Sequence, residues 1–134
     1  MKRSEEREQA FILVFEKSFK EDSMREIIEQ SRENYDKELS EFAVSVSKDI
    51  IVNLPILDEL IEKNSRGWKK DRLPKVTLAI LRLALYEMIY LEDIPISVSI
   101  NEAVELAKKF ATENDASFIN GILGSIAKRI EGGD

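Results

Sequence analysis

At 134 residues the chain is long enough for one domain with a sizeable core, and 43% apolar with 34% charged residues fits a globular protein. Five glycines and three prolines leave little material for long loops, while the absence of cysteine and histidine excludes disulfides, thiolate metal sites and the commonest general base. A net charge of −6 argues against non-specific nucleic-acid binding by the whole surface, but it allows a local basic patch.

The opening MKRSEEREQAF is charged and has no apolar signal core, so the chain is expected to stay in the cytoplasm. Ser4 is placed to cap a first helix running to about Phe19, with Ala10, Phe11, Val14 and Phe15 as its apolar stripe. Lys2, Arg3 and Arg7 make its beginning cationic. That end is either a frayed, solvated terminus or an anion site, because cations sit awkwardly at the positive pole of a helix and an external phosphate relieves the conflict.

Ser23-Met24-Arg25-Glu26 has the form of a capping box and opens a second helix with Met24, Ile27, Ile28, Ser31 and Tyr35 on one side. Asp36 or Ser40 opens a third, with Leu39, Phe42, Ala43, Val46 and Ile50 inward. Pro55 must kink or break it, and the pattern resumes with Leu57, Leu60 and Ile61 to end near Asn64.

Lys63 to Lys75 is the most basic run, holding Lys63, Arg66, Lys69, Lys70, Arg72 and Lys75 around Trp68. It is either a surface linker whose tryptophan anchors packing or a patch that stacks on and neutralises nucleic acid. Val76 to Leu91 is apolar at almost every position, with Arg82 and Glu87 as the only formal charges. A helix without a polar face must be surrounded, so this segment, begun by Pro74, is the expected axle of a helical domain, and its two charges need partners on other helices.

Ile94-Pro95 breaks the axle. Ser99-Ile100-Asn101-Glu102 has the form of a second capping box, with Ile100, Ala103, Val104, Ala107 and Phe110 as the apolar face that follows. Asn114 or Asp115 starts the last helix, whose core stripe is Phe118, Ile119, Ile122, Leu123 and Ile126. Gly121 is expected to permit close helix contact. Gly121-Ile122-Leu123-Gly124 matches the GxxG of a KH clamp, but Ile122 and Leu123 demand burial, which rejects that reading. Glu131 to Asp134 is expected to be a disordered tail. No motif assembles catalytic chemistry, and no cofactor is called for.

Four stretches resemble the NusB family of transcription antitermination factors. They are Arg3 with Arg7-Glu8-Gln9-Ala10; Trp68 with Arg72-Leu73; Ile80-Leu81-Arg82-Leu83-Ala84-Leu85-Tyr86-Glu87-Met88; and Ile100 to Lys108 followed by Phe118-Ile119-Asn120-Gly121-Ile122-Leu123. Order and spacing match over essentially the whole chain, and the last two stretches in tandem are the specific signal.

The resemblance implies an all-α protein, a compact bundle of about seven helices. It would form a single domain, residues 1–130, of two helical subdomains, 1–64 and 65–130, with the buried helix near 75–91 central to the second. It also implies binding of the boxA element of nascent ribosomal-RNA leader transcripts, together with the small-subunit ribosomal protein that doubles as NusE. Other Nus factors and the RNA polymerase complex are implied partners, termination is suppressed, and ribosomal-RNA maturation is supported without any bond being made or broken. No membrane is involved, and a homodimer is allowed because some relatives self-associate.

The RNA face carried over is Lys2, Arg3 and Arg7 from the opening helix, with Asn114, Ser117 and Phe118 around the start of the last. Cations neutralise phosphate, and a phenyl ring or amide meets an unstacked base; Phe118 equally fits the core stripe. Ser4, Glu5 and Glu6 interrupt an arginine run that is denser in many relatives, which implies low RNA affinity for the isolated protein and more dependence on NusE. Certain ribosomal-RNA cytosine methyltransferases carry a similar helical domain, but their cysteine nucleophile and cofactor fold have no counterpart here. A helical protein–protein adaptor with little RNA affinity is the alternative.

Overall fold

The computed structural model describes residues 1–34, 38–67 and 69–132. Among them are seven α-helices and one short 3-10 turn. They form two compact units, 1–53 and 54–134, so the division falls before the fourth helix and not after it, as the sequence had suggested.

The first unit holds α1 (Arg3–Lys17), α2 (Met24–Asn34) and α3 (Glu41–Val52), with α1 packed on both others. Its core is Ala10, Phe11, Leu13 and Val14 against Ile27, Ile28, Ala43, Val46 and Ile50, all close to fully buried. Burying side chains of this size contributes about 1.5–3 kcal/mol each for the larger ones.

Ser4 is not the cap of α1. Lys2 occupies the cap position without a side-chain hydrogen bond, and Ser4 lies in the first turn. The capping box at α2 forms in both directions: the Ser23 amide donates to Glu26 Oε1 (3.1 Å) and the Glu26 amide to Ser23 Oγ (3.2 Å). Ser40 caps α3, accepting from the Ala43 amide at 3.0 Å. Tyr35 and Asp36 lie outside the described residues.

At the end of α3, the Asn53 amide donates back to the carbonyls of Asp49 and Ile50. Pro55 then falls in the first turn of α4 (Leu54–Asn64), where a helix needs no amide. The proline therefore divides the pattern into two helices.

The second unit is built around α5 (Lys75–Tyr90), which packs against α4, α6 (Ile96–Phe110) and α7 (Glu113–Gly132). Every residue from Thr77 to Met88 except Arg82 is buried. Beyond Lys75 at its start, its two charges find their partners on neighbouring helices, as burial requires. Arg82 donates to both carboxylate oxygens of Asp58 on α4, at 2.8 and 2.9 Å. Glu87 accepts from Ser99 Oγ at 3.3 Å.

That last contact corrects the second capping box. Helix α6 begins at Ile96 behind Pro95, so Ser99 is already inside it, and its hydroxyl turns inward to α5. The buried face of α6 is Ser99, Ala103, Leu106 and Ala107, while Phe110 is half-exposed with the Lys109 ammonium 5.4 Å from its ring centre.

Helix α7 starts one residue before Asn114. Thr112 and Asp115 cap each other: the Asp115 amide donates to Thr112 Oγ1, and the Thr112 amide and hydroxyl donate to Asp115 Oδ2. Gly121 does not mediate close contact, since a Cβ there would meet nothing within 4 Å. Glu131 and Gly132 belong to α7, and Gly133 and Asp134 lie outside the described residues. No helix among the described residues is long and apolar enough to cross a membrane.

Candidate nucleic-acid interface

In the first unit, the packing of α1 on α3 fixes the cationic end. The Arg3 guanidinium lies 4.2 Å from the centre of the Phe42 ring, and its Nε is 3.8 Å from Glu6. The side chain nevertheless remains 50% exposed. A cation held over a ring at the surface gains about 0.5–1 kcal/mol, enough to bias its direction without hiding its charge. Lys2 is exposed beside it.

Arg7 is different. It is 3% exposed and engaged with other groups of the chain, so it supports the helix end and does not present its charge to a phosphate. Gln9 is a positioning residue that pattern reasoning passed over. Its amide nitrogen donates to the Glu38 carbonyl (3.2 Å) and its oxygen accepts from the Ser40 amide (2.9 Å), clipping α1 to the start of α3. Hydropathy periodicity is silent about such a bond, because Gln9 lies off the apolar stripe.

In the second unit, the mutual cap of Thr112 and Asp115 fixes the first turns of α7. Asn114 and Ser117 are exposed there, and Phe118 is half-buried. Phe118 thus stands at the rim of the core, in contrast to the wholly buried Ile119 next to it.

Ser117 and Phe118 also line a cleft of about 480 Å³, together with Gly121, Ile122, Ser125 and Arg129 of α7 and the segment 63–66. Residues 117, 121, 125 and 129 recur every fourth position, so they form one row along the helix. Opposite them are Lys63 and Asn64 at the end of α4, then Ser65 and Arg66 in the following turn. Ser125 Oγ donates to Asn64 Oδ1 at 3.2 Å, tying the two sides together. Arg66 has φ +53° and Gly67 φ +88°; these two left-handed residues turn the chain away from α4.

The cations of the basic run are deployed unequally. Lys70 Nζ lies 3.3 Å from Asp58, inside the pair that Asp58 makes with Arg82. Lys63 Nζ is 2.9 Å from Glu59, and its hydrogen bond and charge hold that carboxyl below the usual carboxylate range. Among the described residues, neither Arg66 nor Arg129 has an ion-pair partner. Trp68 lies outside the described residues. The structure therefore joins Ser117 and Phe118 to part of the basic run, whereas Lys2 and Arg3 belong to the other unit.

The sequence model of the NusB family matches residues 4–128. The chain belongs to the NusB family. It is 47% identical over 130 residues to the transcription antitermination protein NusB of Acetivibrio thermocellus, covering 96% of this chain and 90% of that one. Among solved structures, it is similar to T. maritima NusB, with a TM-score of 0.86 and 39% identity over 96% of this chain and 92% of that one. It is also similar, at a TM-score of 0.82 and 27% identity, to a chain in a structure of the antitermination factors NusB and NusE in complex with double-stranded RNA; 96% of this chain and 98% of that one are covered. The NusB family is one of transcription antitermination proteins and not of enzymes. Arg82 and Glu87 are the two charges that fasten α5 to α4 and α6.

Proposed function

We propose that the chain binds the boxA element of nascent ribosomal-RNA transcripts together with NusE. In this reading it acts in the assembly of Nus factors on RNA polymerase that suppresses termination and supports ribosomal-RNA maturation, a role that belongs in the cytoplasm. The observation that carries the reading is the half-exposed Phe118, flanked by exposed Ser117 and Asn114 on a rigidly capped helix start, in a chain of the NusB family. The similarity to a NusB that is bound to NusE and RNA supports it.

Each unit contributes its own contacts. Lys2 and Arg3 neutralise phosphates, and the Phe42 ring and Glu6 hold the Arg3 guanidinium ready. Arg7 stiffens the helix end beneath them. Phe118 offers a ring face to an unstacked base, and Ser117 and Asn114 offer hydrogen bonds to base edges or to the 2′-hydroxyl. The chain tethers RNA to a protein partner; it makes and breaks no bond.

The test is a titration of labelled boxA-type RNA with and without NusE. Binding is expected to be tighter with NusE. A joint Lys2→Ala, Arg3→Ala change should weaken it and flatten the plot of log affinity against log salt by about 1.4, two contacts at ~0.7 each on a single strand. The net charge of −6 favours a second reading, a helical adaptor that binds protein alone. Absence of RNA binding at low salt with NusE present decides for the adaptor.

A further inference from the structure

The arginines of the cleft on the second unit are not needed by the contacts assigned above. We infer that this cleft is a phosphate track for single-stranded RNA, receiving the sugar–phosphate backbone next to the base that meets Phe118. The inference rests on the RNA-binding reading and extends it to Arg66, Arg129 and the row between them.

The sign of the charge is the first reason. Among the described residues, the lining holds Lys63, Arg66 and Arg129 and no carboxylate, in a chain whose net charge is −6. A concave, cationic surface on an acidic protein concentrates polyanions where the remaining surface repels them. The cations are also available. Lys63 is engaged by Glu59, but Arg66 and Arg129 are exposed and have no acidic partner among the described residues.

Shape is the second reason. The α7 row that faces the segment 63–66 is Ser117, Gly121, Ser125 and then Arg129, so small side chains leave the middle open and the guanidinium closes one end. Gly121 has empty space where a Cβ would be. The bond between Ser125 and Asn64 holds the two sides at a fixed separation. A volume of about 480 Å³ lies within the range of small-ligand sites.

The third reason separates RNA from an acidic protein segment. The half-buried Phe118 ring borders the same cleft, and an aromatic beside a cationic groove is how single strands are held without base pairing. Ser117 and Ser125 add hydroxyls suited to phosphodiester oxygens or the ribose 2′-hydroxyl. An acidic peptide would use the arginines but has no need of the ring.

The experiment uses the full chain with NusE and labelled boxA-type RNA, comparing the unsubstituted protein with an Arg66→Asn, Arg129→Gln double variant. Asparagine tolerates the left-handed backbone at position 66, and both side chains are exposed, so folding is expected to persist and is checked by thermal unfolding. An Arg25→Gln, Lys108→Gln variant matches the charge change elsewhere. The double variant should bind RNA roughly three- to tenfold more weakly, with a salt slope smaller by about 1.4, while the matched control keeps the original slope. Equal affinity and slope in both variants would overturn the inference and leave the RNA reading standing. So would a loss confined to NusE binding measured without RNA, which would make the cleft a protein-docking face. Failure of the unsubstituted protein to bind RNA with NusE would overturn the function reading and this inference together.

Discussion

Helix α4 carries charge in two places, and the two are handled in opposite ways. In its middle, Asp58 is buried and spans the Arg82 guanidinium with both oxygens, with the Lys70 ammonium added from the 3-10 turn at Lys70–Arg72. At its end, Lys63 opens into a cleft where, among the described residues, Arg66 and Arg129 have no acid to answer them. The first arrangement is closed at its centre: the Asp58 carboxylate and the Arg82 guanidinium complete each other and fix the packing of α4 on α5, with the half-exposed Lys70 at the rim of the pair. The second is open, and a local excess of like charge costs stability unless something outside the chain neutralises it. Conspicuous charges in a helical bundle thus divide by whether the fold completes them. Arg82 of α5 falls on the closed side, and the cleft arginines argued to meet RNA fall on the open side.

The sharpest way to break this division is Asp58→Ala. Arg82 would be left as a largely buried guanidinium without a carboxylate, and loss of one partner from a buried pair costs about 3–5 kcal/mol. Chemical denaturation should show a loss of this size, while RNA affinity measured under conditions where the variant is folded stays within about twofold, since no phosphate contact is removed. A large affinity loss in folded Asp58→Ala protein would place the closed pair in the binding machinery.

Phe118→Ala probes the open side. Base stacking on an aromatic is worth about 1–3 kcal/mol per base, so RNA affinity should drop roughly five- to 150-fold. The stability loss should be smaller than for a fully buried phenylalanine such as Phe11, because Phe118 sits at the core rim. A stability loss as large as for a core residue, with RNA affinity intact, would return Phe118 to the core.

The smallest effect is expected at Glu59. The Lys63 ammonium lowers its carboxyl, so the pair is intact at neutral pH and is lost only as pH falls through that lowered value. Glu59→Gln releases Lys63 at neutral pH, which should raise RNA affinity slightly and steepen the salt slope by at most about 0.7. An unchanged slope would remove Lys63 from the track.

What the sequence made legible follows the same line between local and tertiary. The stripes of α1, α2 and α3, the box at Ser23 and the isolation of α5 depend on spacing within one helix, which is written in the chain. Pro55 divides two helices because its position relative to Asn53 is also local. Ser99 shows where that reasoning ends. It has the same motif as Ser23, serine followed three later by glutamate, but Ser23 is free to cap, whereas Ser99 lies in a helix begun by Pro95 and faces a carboxylate from α5. Thr112-Glu113-Asn114-Asp115 was the readable signal for the start of α7, a threonine followed three later by an acid.

The candidate site was less legible for the same reason. Ser117 and Phe118 came from family resemblance, and the structure adds that they border a cationic cleft. The burial of Arg7 and the exposure of Arg66 depend on which elements meet, so composition and period could not separate them. Gly121 illustrates the ambiguity of a helical glycine: absence of a side chain permits close packing or open space, and only the neighbours decide.

The central claim is that Lys2, Arg3 and Phe118 hold RNA in company with NusE. It is tested most directly by the affinity of boxA-type RNA for the chain with NusE present, measured across a salt series. A linear fall of log affinity with log salt, shallower by about 1.4 in the Lys2→Ala, Arg3→Ala variant and unaltered in the matched surface-charge control, is the result predicted here. Undetectable binding at low salt, or an affinity indifferent to salt, would contradict it.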